Sequence, residues 1–222
     1  MIITFDLWET LIKGSPKFKE ERIKLVKKYC SFEDESPLYD QIIDDIFKGV
    51  KNKENKVVEI YGNQPDTKSL VAKIFYVIQE TLLNKRNKID LDSFIRDHNN
   101  LMLDYPPIII ENTLEVFEKL FNDNHKIGIV SNTMMTPGFV LREILSKNGV
   151  SKYLTYREIF SDERGYSKPH NIFIHNADWH VGDNPITDGA CIEYGIKYYQ
   201  INSNNKTIKD FYDECILSNQ NK

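Results

Sequence analysis

Four segments of the sequence place acidic, hydroxyl or lysine side chains beside short apolar runs or in tight turns. In chain order, they contribute Asp6, Ser131, Lys168 and the pair Asp183 and Asp188. A carboxylate at the carboxyl end of a strand lies in the crevice where open α/β sheets bind ligands. A nucleophilic carboxylate, a hydroxyl, a lysine and an acidic metal site are the groups that phosphoryl transfer to an aspartate needs. Together the segments predict phosphoryl-transfer chemistry centred on Asp6.

Strand-like and helix-like patterns alternate after residue 107. Apolar runs predict strands at residues 1–5, 127–130, 178–181 and 197–201, and helices are predicted at 113–121, 137–147, 188–194 and 207–217. A further short helix is expected from residue 169 to about residue 177. This alternation is typical of an α/β protein with a parallel, doubly wound, Rossmann-like sheet. The candidate residues then fall at the carboxyl ends of strands or in the turns that follow.

The long stretch between the first two segments is mostly helical in pattern. Four apolar stripes with i, i+3, i+4 spacing begin near Phe18, Leu38, Leu70 and Phe94. The third helix is expected to start at Asp66 or Thr67, either of which can cap its first amides. We therefore predict a core made of residues 1–14 and 106–222, with a helical domain of residues 15–105 inserted into it.

The composition is that of an ordinary globular protein. The 222 residues include 41% hydrophobic and 28% charged residues, which is enough for a sizeable core. A net charge of −4 gives no electrostatic reason to expect nucleic-acid binding, and no apolar run approaches the roughly 20 residues of a membrane span. The three cysteines have unrelated spacings, which favour neither a disulfide framework nor a zinc site. We expect a cytoplasmic protein without a signal peptide, and the number of subunits stays open.

The four segments in this order resemble the haloacid dehalogenase-like superfamily, a large group made mostly of phosphohydrolases. Asp6 matches the first motif of the family, Ser131 the second, Lys168 the third, and Asp183 with Asp188 the fourth. The match covers roughly residues 1–14 and 106–202. The resemblance implies a Rossmann-like core, and it implies that residues 15–105 are the helical cap that many members insert at this place.

By this resemblance, the Asp6 carboxylate attacks phosphorus and forms an aspartyl-phosphate, which water then cleaves. Mg²⁺ would be held by one Asp6 oxygen, the backbone carbonyl of Trp8 and the carboxylate of Asp183, a set of oxygen ligands that suits this cation. Ser131 and Lys168 would hold the phosphoryl oxygens as charge accumulates on them.

The resemblance also implies supporting roles around the phosphoryl group. Asn132 and Thr133 would shape the phosphate-binding rim. From its residue type, we expect Trp8 to form a wall of the pocket or to pack under the cap. Asp188 would orient Lys168 or a metal-bound water from behind. The expected substrate is a small phosphorylated molecule, whose identity the sequence leaves open.

Trp8 is a departure from the family pattern. Most phosphatases of the family place an aspartate, the general acid and base, two residues after the nucleophile. An indole N–H donates a hydrogen bond but cannot shuttle a proton near pH 7. General acid–base assistance is usually worth about 10²–10⁴-fold. We therefore expect slow turnover of phosphomonoesters, or a substrate with a good leaving group such as an acyl phosphate, unless Glu9 takes over the proton.

Two other readings stay open. Dehalogenases of the same superfamily carry an aromatic residue, usually tyrosine, two places after the nucleophile, and Trp8 is similar. They tend to lose the acidic pair at the fourth motif, whereas Gly182 and Asp183 are present here. Without a general acid, the chain could also be a binding or regulatory protein on the same scaffold. The intact acids at the fourth motif favour phosphoryl chemistry over carbon–halogen cleavage.

Overall fold

A computed structural model describes residues 1–32, 36–83, 88–173 and 176–218 of the protein. The strands are β1 Ile2–Phe5, β2 Ile12–Lys13, β3 Ile108–Ile109, β4 Lys126–Ser131, β5 Leu154–Phe160, β6 Trp179–Gly182 and β7 Lys197–Gln200. Five of them form one sheet in the order β5-β4-β1-β6-β7, and every neighbouring pair is parallel. β2 and β3 pair separately as an antiparallel ribbon. The predicted parallel α/β sheet is confirmed.

The helices flank this sheet or precede it along the chain. They are α1 Pro16–Cys30, α2 Pro37–Tyr61, α3 Thr67–Ile78, α4 Leu91–Asp104, α5 Thr113–Asn122, α6 Gly138–Lys147, α7 Ser161–Arg164 and α8 Ile208–Phe211. Short 3₁₀ turns lie at Ser151–Tyr153, Gly189–Tyr194 and Ser203–Asn205, and π-helical turns extend α3 at Gln79–Leu83 and α8 at Tyr212–Leu217. Within the described ranges, no helix combines the length and apolar character that a membrane crossing needs.

The register of the central strands brings the candidate residues to one edge. Phe5, the last residue of β1, is paired with Ile129 of β4 and with Val181 of β6. In a parallel sheet the carboxyl ends of neighbouring strands share an edge, where ligands bind. Asp6 therefore lies between the end of β4 at Ser131 and the end of β6 at Gly182.

Apolar side chains bury both faces of the sheet. On one face, Ile3 and Phe5 of β1 pack with Phe117 of α5 and Phe211 of α8, and the Phe5 and Phe117 ring centroids are 4.9 Å apart. Successive strand residues point to opposite faces. The other face carries a smaller buried cluster of Val130, Ile159, Ile172, Phe173, Cys191 and Ile196. The sheet that presents the site is therefore buried on both sides.

The edge strand β5 is an element that the sequence pattern does not reveal. Its residues are exposed or half-buried as far as Glu158, and full burial begins only at Ile159. An edge strand lacks a neighbour on one side and can keep charged residues such as Arg157. It therefore lacks the continuous apolar run by which the other four strands of this sheet are predicted.

The predicted helix from residue 169 to about 177 is wrong where the structure describes it. Residues 169–173 form turns and bends, and residues 174–175 lie outside the described ranges. Asn171 has a left-handed φ of 41°, which interrupts a helix. The remaining predicted core helices are present, although residues 189–194 form a 3₁₀ turn and residues 212–217 a π-helical one.

Helices α1–α4 form a helical layer with an apolar cluster of its own. Each begins at a side-chain N-cap, and the caps are Ser15, Ser36, Asp66 and Asp90. Asp66 accepts the backbone N–H of Ser69, so the predicted start of the third helix is confirmed. Phe94 of α4 packs edge to face against Phe75 of α3, with ring centroids 4.7 Å apart.

The helical layer also shares apolar contacts with the sheet. Phe18 of α1 and Met102 of α4 pack in the main cluster of the sheet, while Met134 packs with the helices. The β2–β3 ribbon pairs the segment by which the chain enters the helical layer with the segment by which it leaves. The division into a core and a domain of residues 15–105 stays a prediction.

The turn between α2 and α3 is bonded to the loop that carries Lys168, residues 165–170. Ser167 donates its backbone N–H to Gly62 O at 2.9 Å and its hydroxyl to Gln64 Oε1 at 2.8 Å. Gln64 donates its own N–H to Gly165 O at 3.4 Å. The helical layer is thus joined directly to the lysine loop.

We expect Gly62→Ala to destabilise the protein by about 1–3 kcal/mol, because Gly62 has a left-handed φ of 73° and an added Cβ would lie 2.6 Å from the His170 Cβ. Urea unfolding measures the effect. Gly14→Ala is the matched control, since nothing lies within 4 Å of its added Cβ, and it should change stability by less than about 0.5 kcal/mol. Equal effects of the two substitutions would contradict the close packing at Gly62.

Candidate active site

Asp6 lies at the buried centre of the sheet edge. Its backbone N–H donates to Val181 O at 2.8 Å, and the residue is 6% exposed. Burial raises the pKa of the Asp6 carboxyl to about 7; the ammonium of Lys168 opposes this shift, while the charges of Asp188 and Asp183 add to it. The ionised form of Asp6 would therefore be stabilised by a further positive charge.

The ammonium group of Lys168 bridges two carboxylates. Nζ donates to Asp188 Oδ1 at 2.6 Å and makes a short contact with Asp6 Oδ1. The side chain is almost fully buried. Burial lowers the pKa of Lys168, but the charges of Asp188 and Asp6 outweigh it, and the net shift is upward. Lys168 is therefore a fixed cation over the physiological pH range.

Asn132 holds the backbone of Lys168 from both sides. Its Oδ1 accepts the Lys168 N–H at 2.7 Å, and its Nδ2 donates to Lys168 O at 3.0 Å. Asn132 directly follows β4, so the end of this strand fixes where the lysine loop approaches Asp6. The predicted rim residue thus has a positioning contact with the lysine.

Asp188 is anchored by several donors at once. Its Oδ1 accepts from Lys168 and lies 3.3 Å from His180 Nε2, and its Oδ2 accepts the Asn184 N–H at 3.0 Å. Burial would raise the pKa of Asp188, but Lys168 and His180 outweigh it and hold the pKa below its usual range. A Cβ on Gly182 would lie 2.3 Å from Asp188 Oδ2, so only glycine leaves room for this carboxylate.

Asp183 completes a group of three acids. One carboxylate oxygen from each of Asp6, Asp183 and Asp188 lies within 4.8 Å of the other two. Burial raises the pKa of Asp183, and the charge of Asp188 adds to this shift. A single lysine thus faces three carboxylates, an oxygen-rich and negatively charged set that suits a hard divalent cation. Both oxygens of Asp188 already accept hydrogen bonds, whereas Lys168 contacts only Oδ1 of Asp6, so Asp6 and Asp183 are the carboxylates with an oxygen left for Mg²⁺.

The two predicted hydroxyl groups have protein partners. Ser131 is fully buried, and its hydroxyl donates to Asn132 O at 3.4 Å. Thr133 Oγ1 lies 3.1 Å from Ser161 Oγ and accepts the Asp162 N–H at 3.2 Å. Thr133 thereby ties the end of β4 to the start of α7. A phosphate contact of Ser131 or Thr133 stays a prediction.

Trp8 and Glu9 lie in the loop that follows Asp6, and both line a cavity between the sheet edge and the helical layer. Trp8 is half-buried against the main apolar cluster. Glu9 is exposed, has a left-handed φ of 57°, and its carbonyl accepts from Asn202 Nδ2 at 2.7 Å. The metal contact of the Trp8 carbonyl and a proton-transfer role of Glu9 stay predictions.

His180 is not among the residues predicted for the site. It is fully buried in β6, with Nε2 facing Asp188 and Nδ1 3.0 Å from Thr4 Oγ1. Burial lowers the pKa of His180, so a neutral ring that donates from Nε2 to Asp188 fits these contacts. The sequence signal that could have indicated this role is a histidine inside a short apolar strand, two residues before Gly182.

A cavity of about 510 Å³ separates the sheet edge from the helical layer. Asp6, Lys168 and Asp183 line it on the sheet side, and residues of α1, α2 and α4 line it on the other. A small molecule bound at Asp6 would therefore contact both the sheet and the helical layer.

Solved structures share this architecture over nearly the whole chain. A HAD-hydrolase of Bacillus subtilis, YfnB, whose structure is bound to magnesium, has a TM-score of 0.71 over 96% of this chain and 97% of its own, at 12% identity. A predicted phosphoglycolate phosphatase of Haemophilus somnus has a TM-score of 0.62 over 90% of this chain and 84% of its own, at 18% identity. The L-2-haloacid dehalogenase RSc1362 has a TM-score of 0.59 over 90% of this chain and 86% of its own, at 13% identity. No protein-family model and no curated protein sequence matches the chain.

The raised pKa of Asp6 predicts how stability depends on pH. Its folded pKa of about 7 lies above the ordinary value of 3.8, so the folded protein binds this proton more tightly than the unfolded chain. Stability should therefore fall as pH rises from about 4 to about 7. Asp6→Asn removes this loss, and we expect the variant to be more stable than wild type by about 2–4 kcal/mol at pH 8, with little difference at pH 4.

Urea unfolding in metal-free buffer at the two pH values measures this difference. The exposed acid Asp213 provides a matched control, because Asp213→Asn should show no comparable gain at pH 8. An Asp6→Asn protein that is no more stable than wild type at pH 8 would contradict the unfavourable burial of this carboxylate.

Proposed function

We propose that this chain, which has the fold of the haloacid dehalogenase-like hydrolases, is a Mg²⁺-dependent phosphohydrolase that acts on a small phosphorylated metabolite. The observation that carries the proposal is the ammonium of Lys168, held between Asp6 and Asp188, with Asp183 beside them. This arrangement joins a candidate nucleophile, a fixed cation and metal-binding oxygens at one point, as phosphoryl transfer to an aspartate requires.

The reaction consists of two displacements at phosphorus. A carboxylate oxygen of Asp6 bonds to phosphorus while the bond from phosphorus to the bridging oxygen of the substrate breaks, and that oxygen leaves with the electron pair. Water then bonds to phosphorus, the bond from phosphorus to the Asp6 oxygen breaks with its electron pair returning to the carboxylate, and the two protons of the water leave on the released phosphate. Mg²⁺, held by Asp6, Asp183 and the Trp8 carbonyl, would offset the charge of the phosphoryl oxygens.

Lys168 is the residue suited to bind a phosphoryl oxygen directly. Its ammonium has three N–H donors, and Asp6 and Asp188 accept two of them. The third can serve a phosphoryl oxygen. Asn132 and Asp188 keep the donor in place, and a donor that is already positioned stabilises developing charge without reorganisation.

The nature of the leaving group follows from Trp8. Its indole cannot protonate the oxygen that departs, so this oxygen must be stable as an anion. Acyl phosphates and aryl phosphates meet this condition, and simple alkyl phosphates do not. We therefore propose a preference for substrates with good leaving groups.

Carbon–halogen hydrolysis is the second candidate reaction, and the aromatic side chain at Trp8 favours it. In that reaction Asp6 would displace halide from carbon, and no metal would be needed. The three clustered acids favour the phosphohydrolase, because an excess of buried carboxylate fits a bound cation. A binding protein without turnover is the third reading, and the missing acid at Trp8 is its support.

The first test is hydrolysis of p-nitrophenyl phosphate and acetyl phosphate, with and without Mg²⁺. We expect metal-dependent turnover in wild type and in the control Asp213→Asn, and only background hydrolysis in Asp6→Asn, which lacks the nucleophile. Halide release from 2-haloacids in the absence of metal, with no phosphate release, would instead identify a dehalogenase. Binding of a phosphate analogue without either activity would identify a binding protein.

Trp8→Asp tests the missing general acid. If the aspartate reaches the leaving oxygen, hydrolysis of alkyl phosphates should rise by about 10²-fold or more, and by a larger factor than hydrolysis of acetyl phosphate, whose leaving group needs no acid. Trp8→Asn is the control, because it shortens the side chain in the same way without adding a titratable group. Equal rates of the two variants on alkyl phosphates would contradict our account of Trp8.

A further inference from the structure

The two sides of the cavity carry opposite charge. The charged residues described on the sheet side are Asp6, Glu9, Asp183, Asp188 and Lys168. Those on the helical side are Lys19, Arg22, Lys48, Lys51, Asp44 and Glu59. Acids outnumber cations on the sheet side, and cations outnumber acids on the helical side. A ligand that reaches both sides would therefore meet a second, cationic environment away from Asp6.

Arg22 of α1 is held rigidly on the helical side. Its guanidinium carbon lies 4.4 Å from the centroid of the Phe47 ring and 5.7 Å from that of Phe18. Nη2 donates to Asp44 Oδ1 at 3.2 Å, and Nε is buried away from the cavity without a hydrogen-bond partner among the described residues. The side chain nevertheless lines the cavity, and a stacked guanidinium offers terminal N–H donors in a geometry that suits a carboxylate or a phosphate.

The acid beside Arg22 does not neutralise the helical side. Asp44 is buried, and its Oδ2 lies 2.9 Å from Lys19 Nζ and 2.6 Å from Lys48 Nζ. Together with Arg22, three cations thus surround this single carboxylate. The cluster keeps an excess of positive charge even when all of these ion pairs are formed.

Lys51 extends the cationic surface along α2. Asp44, Lys48, Lys51 and Asn55 are spaced at helical intervals and line the cavity from one face of this helix. Lys51 is in no ion pair among the described residues; burial and the charge of Arg22 lower the pKa of its ammonium, and the charge of Glu9 opposes this shift. Its ammonium is therefore available to a ligand.

We infer that the helical side of the cavity binds a second anionic group of the substrate, a carboxylate or a second phosphate, through Arg22 and Lys51. The inference rests on the proposed function, because it places the phosphoryl group of the same molecule at Asp6. Phe18, Phe47 and Met102 line the cavity as well, so a short apolar linker between the two anionic groups fits it. The substrate class is that of small phosphorylated acids or bisphosphorylated compounds.

Non-hydrolysable phosphonates test this inference without depending on the leaving group. Calorimetry in the presence of Mg²⁺ would compare phosphonoacetate, 3-phosphonopropionate and 4-phosphonobutyrate with their carboxamides, which lack the second anionic group, and 1,3-propylene bisphosphonate with propylphosphonate. We expect wild type to bind the best-fitting probe with two anionic groups about 10-fold or more tightly than its counterpart with one. Arg22→Gln and Lys51→Gln should each remove most of this preference. Lys53→Gln, an exposed lysine of the same helix outside the cavity, should keep it.

Each outcome separates the inference from the proposed function. Equal affinity of wild type for probes with one and with two anionic groups would overturn the inference and leave the phosphohydrolase standing. Failure of all phosphonates to bind, together with no turnover of p-nitrophenyl phosphate, would overturn both. The relative affinities for the carboxylate and the bisphosphonate identify which anion the site prefers. Lys51→Gln removes no contact of a buried group, so it keeps the test valid if Arg22→Gln fails to fold.

Discussion

The contact on which the site depends is the buried ammonium of Lys168 between the carboxylates of Asp6 and Asp188. Two carboxylates buried beside each other are tolerated only if the lysine lies between them, since losing the lysine leaves two uncompensated like charges. The surrounding structure meets this condition in separate ways. Asn132 fixes the lysine backbone, Gly182 leaves space for Asp188, and the paired strands hold Asp6 in register.

The same charges explain how the two sides of the cavity complement each other. On the sheet side, one lysine does not balance three acids, so this side favours a cation. On the helical side, one buried acid is surrounded by three cations and favours an anion. A phosphorylated acid or bisphosphate bound with a metal ion would satisfy both demands at once, because the metal and the phosphoryl group would occupy the acidic side and the second anionic group the cationic side.

Much of the sheet side can be predicted from the sequence because its signals are local. Asp6 and Asp183 follow apolar strands directly, and strand order then brings them together. The features that escape prediction depend on tertiary neighbours. The edge strand β5 has no apolar run, and His180 shows its contact with Asp188 only after β6 and the following turn are folded. Thr133 has the expected residue type, but its hydroxyl is hydrogen-bonded to Ser161, which lies on another element and cannot be paired with it from the sequence. The cationic face of α2 needs the fold as well, because its lysines resemble an ordinary solvated helix face until the cavity is known.

The hydrogen bonds between the α2–α3 turn and the lysine loop connect movement of the helical layer with the position of Lys168. If the helical layer swings away to admit a ligand, Ser167 must exchange Gly62 and Gln64 for water, or the loop must travel with the helices. In the second case Lys168 would withdraw from between Asp6 and Asp188, and the repulsion between these two carboxylates would no longer be offset. In that case, opening of the cavity would break the contact between Lys168 and Asp6, and closure would restore it.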